Sequence, residues 1–229
     1  MDGIGGLVAH EILSSFIESF KEKINEKLTS HRANSYFQML IQEYQREREQ
    51  KHDSANLNEA LNNIVNNPKY SELFFETYRK VLFAASKDIG PRIIGLLVAD
   101  ITSNDRVTSE DDELIFILAS NCSDSDMAAG YRYFCECSTS SDGVKYKLIR
   151  EVMANALRNG RRIDTSQINL TREVGVWAFQ FKNAGFLWEE DWPGETEIPQ
   201  KTRKMLVFAG MCDRFFQLYQ RALAASSAD

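Results

Sequence analysis

The sequence predicts a mainly α-helical protein built from two modules. Apolar residues recur at helical spacing through most of the first 142 residues, and turn-forming pairs such as Asn67-Pro68 separate the periodic stretches. The small and polar segment Ser138–Gly143 then precedes a region of different character, and 229 residues suit two domains of ordinary size. We expect an all-helical module over residues 1–142 and a second helical module, with one small β-hairpin, over residues 143–229.

The first predicted helix follows a glycine-rich start and has a wide apolar face. Lysine and glutamate alternate on its other side, which suits a solvated surface and lacks the cationic face of a membrane-binding helix. The apolar face therefore predicts core packing first and the seam of a homodimer second. The side chains that would form this self-association seam are Leu13, Phe16, Ile17, Phe20 and Ile24.

The remaining helices of the first module are predicted from caps and breaks. Ser30 and Ser54 are candidate N-caps, and Pro68 suits the first position of a helix that follows Asn67. Gly90-Pro91 precedes a segment that is apolar nearly all round, as a central core helix would be. Ser109 and Asp112 have the spacing of a capping box, and the segment 123–126 opens one further helix.

The second module is predicted to contain three helices and a hairpin. Residues 144–157 are interpreted as a helix that ends at Asn159-Gly160, and Thr171 is a candidate cap of a helix that ends at Gly185. Two apolar patches, at residues 186–188 and 205–208, flank a turn-rich loop and predict the hairpin. A last helix is expected from residue 210 to residue 225.

The end of the chain carries one family resemblance. It has, in order, a helix, the sequence Asn183-Ala-Gly185-Phe-Leu-Trp188, a hairpin loop, the sequence Met205-Leu-Val-Phe208 and a further helix. This last part of the chain resembles the ending of winged-helix domains. The resemblance covers residues 143–220 and implies a wing hairpin between two helices. Only about ten residues separate the predicted helix 144–157 from Thr171, so the middle helix would be one turn long or missing.

Charge is divided unevenly between the modules. The overall net charge of −6 combines 14 basic and 23 acidic residues in the first module with 13 basic and 10 acidic residues in the second. Between residues 144 and 182 there are 8 basic and 3 acidic residues, which could form a phosphate-binding face. The candidate nucleic-acid contacts are Arg158, Arg161, Arg162, Arg172 and Lys182. Acidic residues in the expected wing, from Glu189 to Glu197, would repel phosphate.

Motifs for metal binding and catalysis are absent from the sequence. The three histidines lie on separate predicted elements, and neither an HExxH nor a paired CxxC spacing occurs. No Gly-x-Ser-x-Gly is present, and the acidic run Glu110–Glu113 fits the first turn of a helix. We therefore expect no metal, cofactor or recognisable catalytic residue, and an enzyme with a site between the two modules stays as an alternative.

Location and function follow from these exclusions. The longest apolar run, Ile93–Ala99, is too short to cross a membrane, and four cysteines in a chain of this length suit a reducing compartment. The sequence therefore predicts a non-catalytic cytoplasmic regulatory protein, of a bacterial or phage type that the resemblance suggests, acting on a protein partner. The main alternative is a DNA-binding regulator that uses the basic residues 144–182.

Overall fold

The computed structural model describes residues 31–50, 66–141, 143–153, 156–158, 161–163, 170–191 and 201–227. The described chain is mainly helical with one small antiparallel sheet, which confirms the predicted class. It divides into two compact units, one comprising Met1–Asp124 with Gln217–Asp229 and the other Ser125–Phe216. We call these unit 1 and unit 2. The sequence-predicted boundary after residue 142 falls inside unit 2, and independent folding of two modules stays a prediction.

Among the described residues, five helices come before the first strand. The elements are, in order, α1 (His31–Gln50), α2 (Pro68–Leu82), α3 (Ile89–Ser103), α4 (Glu110–Asn121), α5 (Asp124–Cys135), β1 (Ser138–Thr139), β2 (Lys145–Met153), β3 (Ala156–Arg158), β4 (Arg161–Ile163), α6 (Leu170–Glu173), α7 (Val176–Asn183), β5 (Leu187–Asp191), β6 (Lys201–Phe208) and α8 (Met211–Ser226). The predicted first helix and the helix expected after Ser54 lie outside the described residues, as does Ser30.

Helix α3 is the centre of unit 1. Nearly all of its side chains are buried, because the segment is apolar on every face, and this confirms the prediction of a core helix. Helix α1 packs against it closely at Gly95. A Cβ atom at that position would lie 2.5 Å from the carbonyl oxygen of Tyr36, so only glycine lets the two backbones approach this far.

Two of the predicted helix starts of unit 1, at Asn67 and at Ser109, are confirmed. The side chain of Asn67 accepts a hydrogen bond from the Lys69 amide at 2.9 Å, and Pro68 is the first residue of α2. Ser109 and Asp112 form the capping box of α4, in which each side chain accepts a hydrogen bond from the other residue's amide. These local hydrogen bonds fix where α2 and α4 begin.

Unit 2 contains a four-stranded antiparallel sheet in the order β1-β2-β6-β5. The predicted hairpin is confirmed, since β5 pairs with β6 through Leu187 opposite Phe208. It is not isolated, however, because β6 also pairs with β2. The predicted helix over residues 144–157 is therefore wrong: its residues form β2 and most of β3. The segment Lys-Tyr-Lys-Leu alternates polar and apolar residues, and its distant partner β6 decides in favour of a strand.

The predicted helix stop at Asn159-Gly160 lies outside the described residues. The strands on either side of it, β3 and β4, pair with each other, with Arg158 opposite Arg161. Asn-Gly is a strong short signal for a hairpin as well as a common helix terminator, so the sequence pattern was compatible with both structures. The predicted helix from Thr171 is likewise divided into α6 and α7, which are separated at Gly175, whose φ of +125° favours glycine.

Helix α7 ends as predicted. Gly185 has φ +77°, its amide donates to the Lys182 carbonyl at 3.0 Å, and the Phe186 amide donates to the Phe181 carbonyl at 2.9 Å. This is a Schellman motif, and it directs the chain into β5. The order of α7, hairpin and α8 agrees with the order that the winged-helix resemblance implies, but the first helix of that resemblance is replaced by β2. The short helix α6 lies in the segment predicted for the Thr171 helix, not in the segment expected for a middle helix.

Candidate binding surfaces

The residues predicted to contact nucleic acid are distributed over three places in unit 2. Arg158 lies on β3, and Arg161 and Arg162 lie on β4, where Arg162 pairs with Leu157. Their side chains lie outside the described part of the structure. Arg172 is exposed on α6, and Lys182 is exposed near the end of α7. The five residues therefore lie on four different elements, β3, β4, α6 and α7.

Several cations of the predicted basic face have partners within unit 2. The Lys182 amine lies 2.7 Å from a carboxylate oxygen of Glu189, and the Lys147 amine lies 2.5 Å from one of Glu136. The Lys147 amine also lies 4.4 Å from the centre of the Tyr133 ring. A phosphate would have to compete with these contacts. The exposed side of α7 is apolar rather than basic at Phe179, which is 51% exposed.

Burial in unit 2 affects two of its thiols, those of Cys137 and Cys212. Phe181, Phe186 and Phe215 have ring centres 5.5–6.1 Å apart, and the thiol of buried Cys212 donates a hydrogen bond to the Phe186 carbonyl. Burial raises the pKa of Cys212 and raises the pKa of Cys137 to about 11. Both thiols are therefore protonated at neutral pH, which makes them poor nucleophiles. All four cysteines are free.

Unit 1 contains an open cavity of about 410 Å³ on its surface. We call it the α2–α4 cavity, because its walls come from the last turns of α2 and the last residues of α4. Its volume falls within the range of pockets that bind small ligands or a few side chains of a partner. The residues that line it are Glu76, Arg79, Lys80, Phe83, Ser120 and Asn121.

The helical period explains why these residues line a surface. Helix α2 buries Phe74, Tyr78 and Val81 on one side, so residues 76, 79, 80 and 83 fall on the other. The segment after α2 is tied to α4 by a hydrogen bond from the Ala85 amide to the Ser120 carbonyl, 2.7 Å long. The two walls of the cavity are therefore held together by the main chain.

Phe83 is the most exposed large apolar residue of the cavity. It follows the last residue of α2, and 86% of its surface is accessible to solvent, the largest value among the exposed hydrophobic residues of the described chain. Phe83 was not among the residues predicted from the sequence to form a site. A signal was available, since the buried face of α2 is defined by residues 74, 78 and 81, and position 83 lies away from it.

The charged groups of the cavity differ in whether another charged side chain lies next to them. The Lys80 amine lies 3.8 Å from a carboxylate oxygen of Glu113 on α4. Arg79 is exposed and forms no hydrogen bond or ion pair with any residue that the structure describes. The Ser120 hydroxyl donates to the Phe116 carbonyl at 2.7 Å, inside its own helix. The cavity thus presents an exposed aromatic ring and a guanidinium that is available to a ligand.

Comparisons with known proteins give no relative: no family model, no curated protein and no solved structure matches this chain. None of the helices in the described ranges is long and apolar enough to cross a membrane. Within the same ranges, no three histidine, cysteine, aspartate or glutamate residues lie where they could hold one metal ion. The predicted self-association residues, Leu13, Phe16, Ile17, Phe20 and Ile24, are outside the described residues.

Proposed function

We propose that this protein is a non-catalytic cytoplasmic regulator of a bacterial or phage type that acts by binding a protein partner through the α2–α4 cavity. The observation that carries the proposal is the exposure of Phe83, at 86%, on the rim of a concave surface. Single exposed apolar residues are common on soluble proteins, but an exposed aromatic residue beside a cavity is a typical anchor of a protein interface.

The energetics favour a partner at this surface. Covering a phenylalanine side chain that is exposed to water contributes roughly 1.5–3 kcal/mol to binding. Aromatic residues and arginine are among the residue types enriched at interface hot spots, and both are present here, one helical turn apart. The hydrogen bond between Ala85 and Ser120 holds the surface in shape before a partner arrives, which lowers the entropy cost of binding.

A selection from a random peptide library tests the proposal although the partner is unidentified. Peptides selected on the full-length protein are tested for binding to the Phe83→Ser variant. Val107→Ser is the matched control, because Val107 is also an exposed apolar residue of unit 1, at 79%, and does not line the cavity. We expect Phe83→Ser to weaken the selected peptides about tenfold or more and Val107→Ser to leave them unchanged. Equal binding to all three proteins, or no enriched peptide, would contradict the proposal.

A second candidate function is duplex DNA binding by unit 2. It is supported by the order of α7, the β5–β6 hairpin and α8, which agrees with the winged-helix resemblance. This function requires an affinity for duplex that falls steeply with salt and is lost in the double variant Arg161→Glu, Arg162→Glu. The control is Arg79→Glu with Lys87→Glu in unit 1, which changes the net charge equally. If the wild-type protein does not bind duplex even at low salt, this candidate is eliminated.

A further inference from the structure

The arrangement of charge around Phe83 indicates which kind of segment the cavity receives. Arg79 and Phe83 are four residues apart along α2 and its C-cap, so their side chains are neighbours, about 5–6 Å apart at Cβ. Arg79 is exposed and, within the described structure, has no partner of its own. A ligand that covers Phe83 therefore meets, one helical turn away, a guanidinium that no other described residue engages.

The other charges of the cavity do not cancel this local positive site. Lys80 has Glu113 as its neighbour at 3.8 Å, so this pair is close to neutral. Glu76 is three residues from Arg79 and lines the same cavity, but no ion pair joins these two side chains in the described structure. Glu76 also lies farther from Phe83 than Arg79 does, about 10 Å along the helix axis. The charge that a ligand senses next to the aromatic ring is that of Arg79.

We infer that the α2–α4 cavity binds an acidic peptide segment in which an apolar side chain lies beside an aspartate or glutamate. The apolar side chain packs on the Phe83 ring, and the carboxylate pairs with the Arg79 guanidinium. Arginine binds a carboxylate through two parallel hydrogen bonds, which fixes the orientation of the segment as well as adding affinity. This inference rests on the proposed function, since it names the chemistry of the partner at the same surface.

The peptides from the library selection provide the test. Those that depend on Phe83 are expected to share an aspartate or glutamate next to an apolar residue. Against such a peptide, Arg79→Glu should weaken binding about tenfold or more, and Arg79→Lys should retain part of the affinity. Lys87→Glu, an exposed cation of unit 1 outside the cavity, is the matched control and should have little effect.

A double-mutant cycle assigns the effect to one pair of groups. Replacing the acidic residue of the peptide by its amide should weaken binding to the wild-type protein and have no further effect on Arg79→Gln, which removes the charge without reversing it. A new selection on Arg79→Glu should enrich lysine or arginine at the same place in the peptide. Circular dichroism of each variant establishes that it is folded.

The possible failures are distinct. If Phe83→Ser abolishes binding while Arg79→Glu does not change it, the acidic-segment inference is wrong and the proposed function stands. If Phe83→Ser has no effect, the proposed function itself fails. Selected peptides that depend on Phe83 but carry no acidic residue would also overturn the inference.

Discussion

At the scale of single residues, Asp112 shows how one carboxylate can stabilise two local structures. It is fully buried, it accepts a hydrogen bond from the Ser109 amide at 2.8 Å, and it forms an ion pair with Arg106. Arg106 also pairs with Asp100, so the three residues connect the end of α3 to the start of α4. A buried carboxylate is stable only with such partners, because burial removes its hydration.

We expect Asp112→Ala to lower the free energy of unfolding by about 2–3 kcal/mol, since it removes a helix cap and one partner of a buried ion pair. Arg106 keeps Asp100 and is partly exposed, which limits the loss. The control is Asp111→Ala at the exposed neighbouring position, where a change within about 0.5 kcal/mol is expected. Urea denaturation followed by circular dichroism measures both. Equal stabilities of the two variants would show that the buried contacts contribute little.

Residue-level predictions succeeded where the signal is local. The Ser109–Asp112 box, the Asn67 cap and the Gly185 terminus all depend on atoms within a few residues, so the sequence contains the whole interaction. The exposure of Phe83 follows from the pattern of α2, but the cavity that it borders is completed by α4, which that pattern does not reveal. The nucleic-acid residues were predicted from the number of basic side chains in one segment. That number does not show that Lys182 has a carboxylate neighbour on β5.

At the scale of elements, the structure of unit 1 depends on close helix packing, and the structure of unit 2 depends on strand pairing. The apolar residues that recur at helical spacing in α1, such as Phe37, Leu40 and Tyr44, are buried, because helical periodicity alone defines that face. Strand β2 was predicted as a helix, because Lys145–Met153 is compatible with both periods over so short a length. Its state is set by main-chain hydrogen bonds to β6, about fifty to sixty residues further along the chain.

The packing of α1 on α3 gives a prediction at this scale. Alanine is a better helix former than glycine by about 1 kcal/mol, so Gly95→Ala would stabilise an isolated helix. Here the added Cβ would lie 2.5 Å from the Tyr36 carbonyl oxygen and 3.2 Å from the Leu40 amide nitrogen, both main-chain atoms. We therefore expect a net loss of about 1–3 kcal/mol in the free energy of unfolding.

Gly210→Ala is the matched control for this measurement. No atom lies within 4 Å of a Cβ built at Gly210, so the substitution causes no overlap. Thermal and urea unfolding give the stability of each variant and of the wild type. The difference between the two variants isolates the contribution of the close contact between α1 and α3. A Gly95→Ala protein as stable as the wild type would mean that α1 and α3 separate at little cost.

At the scale of the whole molecule, the compact units do not follow the order of the chain. Unit 1 takes its last residues, 217–229, from the far end of the sequence, and helix α8 contributes to both units. In unit 1, for example, Ser226 donates a hydrogen bond of 2.6 Å to Asp88. Contacts between segments more than a hundred residues apart leave no mark in local periodicity, so a boundary drawn from composition falls elsewhere.

The sequence by itself determined the helical class, the starts of α2 and α4, the end of α7 and the apolar core helix, because these depend on local hydrogen bonds and on the burial of a periodic face. Only the tertiary structure decided that residues 145–153 form a strand, that unit 1 is completed by the C-terminal residues, and that Arg79 and Phe83 border a cavity. These features arise from contacts between distant segments, whose free energy no single segment contains.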